Sequence, residues 1–185
     1  DSQVLGTVSA AAGIGGVIGA VLISIWGGPK RRIRGVLGGM IGAGLSKMLF
    51  GLGRSIAVWA PTQGVSSLNF PLIGSCRGAI LMDAIAPALQ GRVFAAKSLV
   101  IQISSAIATM CSGPLADRLF EPAMQPGGVA SPWLGTIFGS GAGAGTAVMY
   151  TACSLSLVLI GLWGLLNPRL RTFETWENTP QQHTA

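Results

Sequence analysis

Residues 4–26 read VLGTVSAAAGIGGVIGAVLISIW, a run without a single charge. Roughly twenty helical residues cross a hydrocarbon layer of about 30 Å, so this run is long enough to span one. It holds Gly13, Gly15, Gly16 and Gly19, with Gly15 and Gly19 one helical turn apart. Small residues at that spacing let a second helix approach closely, so these four are expected at a helix–helix contact. No strand-like segment precedes them and no Lys-Ser or Lys-Thr follows at phosphate-loop spacing, which argues against a nucleotide loop.

The rest of the chain repeats the pattern. Half of its 185 residues are hydrophobic, only 10% are charged, and mean hydropathy is +0.60. A soluble domain carries about a quarter charged residues. Further apolar runs cover 36–53, 56–82, 95–116 and 144–166. The expected fold class is therefore an all-α membrane protein, a bundle of about five transmembrane helices. The run at 56–82 contains Pro61, Pro71 and Arg77 and is the least regular; a membrane helix tolerates prolines where neighbours satisfy the freed carbonyls. Residues 1–171 form the bundle, and 172–185 a polar tail. Between the last two runs, a segment rich in Gly, Pro and Ser is expected to form a surface cap, or a short re-entrant piece at 133–138.

Basic residues set the expected orientation. Lys30, Arg31, Arg32 and Arg34 lie between the first two runs, Arg92 between the third and fourth with Lys97 at the start of the fourth, and Arg169 and Arg171 after the fifth. If every run crosses, these share one side, opposite Arg54 and Arg118. The positive-inside bias makes that side, and the C-terminus, cytoplasmic, in a cell (inner) membrane. Trp26 and Trp163 then fall at inner ends and Trp59 at an outer end, near the headgroups that such rings prefer. The net charge of +6 is thus explained by topology rather than by nucleic-acid binding. The three cysteines, Cys76, Cys111 and Cys153, fall inside apolar runs with no CxxC pair, as small apolar residues do.

Polar side chains inside apolar runs are the informative ones, because hydrocarbon offers them no partner. Ser98, Gln102, Ser105, Thr109 and Ser112 follow at spacings of 4, 3, 4 and 3, one stripe of a helix. Thr62, Ser66 and Asn69 make a shorter stripe, with Arg77 two turns on. Two readings stand: the stripes line a water-accessible substrate path, or they hydrogen-bond neighbouring helices. Arg77 reaches the inner interface or holds an anionic group, and Lys47 is expected to extend to the outer headgroups. The sole histidine, His183, lies in the tail. Neither a nucleophile–base set nor a metal cluster can be assembled from the sequence, so no enzyme and no cofactor is expected.

Four segments, WGGPKRRI (26–33), QGRVFA (90–95), GPLADRLFEPAM (113–124) and NPRLR (167–171), resemble in order and spacing the major facilitator superfamily. The likeness is closest to bacterial permeases of the macrolide and siderophore exporter kind. It implies that the five runs correspond to helices eight to twelve of a twelve-helix secondary transporter, with a central cavity lined by the first, third and fourth runs. Its implied partners are the bilayer, the transporter's N-terminal half and a small-molecule substrate. The implied activity is efflux of amphipathic molecules by alternating access. In this resemblance Lys30, Arg31 and Arg32 stand where the superfamily has a cytoplasmic gating loop, with its basic cluster present and its acidic residue missing. An N-terminal half is accordingly expected upstream of Asp1.

Overall fold

The computed structural model describes residues 2–29, 31–53, 55–125, 127–128, 130–139 and 143–167. They form α1 (Ser2–Trp26), α2 (Arg32–Leu52), α3 (Ile56–Ala84), α4 (Pro87–Leu115), a π-helical turn (Ala116–Phe120), α5 (Glu121–Met124), α6 (Ser131–Phe138) and α7 (Ala144–Leu166). Among the described residues there is no strand. Lys30, Arg54, Arg169, Arg171 and the tail at 172–185 lie outside them.

Among the described residues, four helices are long and apolar enough to cross a membrane: α1, α2, the continuous 38-residue stretch Pro87–Met124, and α7. The expected count of about five is thereby corrected. At 29 residues α3 is long enough, running unbroken through Pro61 and Pro71, but Thr62, Gln63, Ser66, Ser67, Asn69, Ser75 and Arg77 make it too polar. The fourth span also differs, starting at Pro87 instead of residue 95. Proline is well suited to a first helical turn, where its missing N–H is not needed.

The bundle is inside-out relative to a water-soluble fold. Its buried positions are mostly small: Gly15 and Gly19 of α1, Gly35, Gly39, Ala43, Gly44 and Ser46 of α2, and Ser154, Gly161 and Gly164 of α7. Large apolar side chains point outward, among them Ile14, Val17, Val21 and Leu22. Contiguous apolar surface on this scale requires lipid or protein against it, and small residues at the seams are how membrane helices pack.

α2 is the centre of a four-helix row, with α3 on one side and α7 on the other, and α1 packs on the far side of α3. A Cβ on Gly15 would collide with the carbonyl oxygen of Gly64, and one on Gly19 would lie 2.6 Å from that of Leu68. The numbers rise together, so α1 and α3 run parallel. α2 runs against both its neighbours. Gly35, Gly39 and Gly42 face Cys76, Ile73 and Asn69 of α3, while Gly44 and Gly51 face Val158 and Thr151 of α7. Gly27 and Gly28 close α1 with φ of +77° and +79°, a left-handed turn that glycine makes without strain.

α4 stands apart. None of its residues is buried, and its principal contacts run through the π turn that follows Pro114. That turn is anchored to α7. The Glu121 carboxylate accepts hydrogen bonds from the backbone N–H of Gly143 (2.7 Å) and Gly145 (3.2 Å). It thus caps the open amides and the positive dipole end of α7.

Candidate functional site

The two polar stripes occupy different environments. On α4, Ser98, Gln102, Ser105, Thr109 and Ser112 are all exposed on one face of a helix in which no residue is buried. Two of the hydroxyls turn back onto their own helix: Thr109 donates to the Ser105 carbonyl (2.8 Å) and Ser112 to that of Thr109 (2.9 Å). On α3 the stripe turns into the bundle. Thr62 donates to the carbonyl of Val58 (2.6 Å), and the Asn69 amide to that of Val65 (2.9 Å). The Asn69 side-chain oxygen sits where a Cβ on Gly42 of α2 would approach to 2.8 Å. Ser66 is wholly buried, and its hydroxyl has no hydrogen-bond partner. A buried hydroxyl left unpaired costs about 1–3 kcal/mol, so Ser66 is a point of local instability in the packed seam. Arg77 is exposed, towards the C-terminal end of the same helix.

The structure therefore does not bring the stripes together. Thr62, Ser66 and Asn69 lie in the packed row, whereas Gln102, Ser105 and Thr109 lie on the separate α4 face. Of the four α1 glycines expected at a helix–helix contact, Gly15 and Gly19 are at the α3 contact, while Gly13 and Gly16 have open space where a Cβ would point.

At the opposite end from the start of α1, Arg32 forms an ion pair with Asp83 at the end of α3. The basic loop thus has an acidic partner after all, from another helix 51 residues away. The pair is partly exposed, 35% for Arg32 and 57% for Asp83, where such bridges contribute about 0.2–1 kcal/mol. Arg31 is exposed beside it. A cavity of about 320 Å³ opens next to the pair, between Ser24, Gly28, Arg32, Ser75 and Cys76.

Lys47 lies between two rings: its ammonium is 5.5 Å from the centroid of Phe70 on α3 and 5.5 Å from that of Tyr150 on α7. Sequence spacing places Lys47 near the end of its helix yet says nothing of these rings, which come from helices α2 meets only on folding. Among the described residues no group of three or more His, Cys, Asp or Glu side chains is arranged to hold a metal ion. Cys76 is buried, and Cys111 and Cys153 are free and exposed.

No protein-family model, curated protein or solved structure matches this chain.

Proposed function

We propose that this chain is part of a secondary transporter of the major facilitator kind, which exports amphipathic small molecules by alternating access. The observation that carries the reading is α4: a membrane-length helix with a continuous polar stripe and no buried residue. A hydrogen-bonding face on a helix in hydrocarbon needs water or a second protein surface, and a transport cavity between two bundles supplies both. The uncovered face of α1 supports the same arrangement. In this reading α4 faces the path, further helices of the transporter close the other wall, and Arg31 and Arg32 lie on the cytoplasmic side of the cell membrane. The chain by itself is then expected to give no flux in liposomes.

A second reading, a non-transporting membrane module, is favoured by the inward turn of Thr109 and Ser112, whose hydroxyls are already satisfied within α4. Cysteine accessibility separates the two. With Cys76, Cys111 and Cys153 replaced by Ala, single cysteines at positions 102, 109 and 66 are exposed in membranes to a water-borne maleimide. The transport reading expects labelling at 102 and 109 and protection at 66. Protection at all three would leave α4 facing lipid or packed protein, and the path would have to be abandoned.

A further inference from the structure

The cleft between α3 and α7, floored by α2, holds the Lys47 ammonium on the Tyr150 ring, and the same ring borders an apolar chamber. Phe50 of α2 lies 6.3 Å from the Trp59 ring and 5.4 Å from that of Tyr150. These three rings, with Val4 and Val8 of α1 and Ala147 of α7, line a cavity of about 700 Å³. Such a volume suits a drug-sized ligand. Tyr150 is shared: it borders the cavity and also carries the Lys47 ammonium against its ring. Among the described residues no carboxylate pairs with Lys47; its contacts are the two aromatic rings. Rings attract a cation within about 6 Å but do not neutralise it. An ammonium inside an apolar span with no counter-charge marks a place for an anion.

We propose that Lys47, Phe70 and Tyr150, together with this cavity, bind an amphiphilic organic monoanion, an aryl or alkyl carboxylate. Its apolar body fills the chamber and its carboxylate meets the Lys47 ammonium. The ordering of the two parts selects the occupant. α2 runs towards the cavity end, and Lys47 precedes Phe50 by three residues, about 4.5 Å of helix rise. Phe70 is the middle residue of α3. The charge therefore lies deeper than the apolar chamber. A bilayer lipid has the reverse order, headgroup at the surface and chains towards the centre, so the site fits a free amphiphile and not a resident lipid. The inference requires that the helices span a bilayer. It does not require transport, and its test is read without flux.

The full chain is reconstituted in phosphatidylcholine nanodiscs, and binding of pyrenebutyrate is followed by energy transfer from the tryptophans. Pyrenebutanol, the same body without the charge, is the reference. The carboxylate is expected to bind saturably and about tenfold more tightly than the alcohol, the worth of one charge-assisted hydrogen bond. Lys47→Gln should abolish that preference and Lys47→Arg should keep it, while Phe50→Ala weakens both probes. Equal binding of acid and alcohol by the unaltered protein overturns the proposal without any variant having to fold. An unchanged preference in Lys47→Gln overturns it as well. So does full displacement of the probe by phosphatidylglycerol in the nanodisc, which would make this a lipid headgroup site.

Discussion

α2 and α4 are both long helices with apolar sequences, and they have opposite surroundings. α2 is pressed between α3 and α7 on two rails of glycine, Gly35, Gly39 and Gly42 on one side and Gly44 and Gly51 on the other. α4 has 29 residues and buries none of them. The difference lies in where the small residues fall. On α2 they recur at intervals of three and four, so two neighbouring backbones can close on it. On α4 the corresponding stripe holds Ser98, Gln102, Ser105, Thr109 and Ser112, which offer hydrogen bonds and keep a neighbour at side-chain distance.

The sharpest way to break this contrast is at the α1 seam, where the Gly64 carbonyl leaves no room for a side chain on Gly15. Gly15→Leu should cost about 3 kcal/mol or more, beyond ordinary overpacking because the obstacle is backbone. Gly13→Ala, which points into open space, should stabilise by up to about 1 kcal/mol through helix propensity. Unfolding in mixed micelles measures both, and equal effects would mean that α1 does not pack through this face. Next in size is Ser66→Ala. Removing a buried hydroxyl that has no partner should stabilise by about 1 kcal/mol; a loss of similar size would reveal a partner for it. Asp83→Asn, which breaks the pair with Arg32 near the surface, should cost about 0.2–1 kcal/mol and lose its effect in high salt. Smallest of all is Gln102→Leu. It should change the stability of the chain by less than about 0.5 kcal/mol, because Gln102 is exposed on an uncovered helix face, and a larger loss would place a neighbour on α4.

The sequence made α1, α2, α4 and α7 legible because an apolar run of membrane length is costly to leave in water and matches the thickness of a bilayer. It also pointed to Gly15 and Gly19, since the apolar run leaves helix packing as the simplest use for such a pair. It was less informative wherever the partner is distant in the chain. The acidic partner of Arg32 is Asp83, on another helix. The cap of α7 is Glu121, which arrives there through the π turn. The rings around Lys47 belong to α3 and α7, so only the assembled cleft shows what surrounds this lysine. The two stripes look alike in the sequence because each has helical spacing. Spacing gives a face but not what covers it, and Ser66 is sealed where Gln102 is open.

The polarity of α3 bears on how the bundle is made. A segment with seven polar or charged residues between Thr62 and Arg77 gains little from entering hydrocarbon alone, because its hydroxyls, amides and arginine offset much of the apolar gain. Yet α3 carries the contacts that hold α1 and α2 together. Its entry into the bilayer is therefore expected to depend on the packing faces offered by α1 and α2, which are synthesised before it. α7, synthesised later, then closes on the other side of α2. In a glycosylation reporter, α3 is expected to pass through the membrane when expressed alone and to stay in it when α1 and α2 precede it.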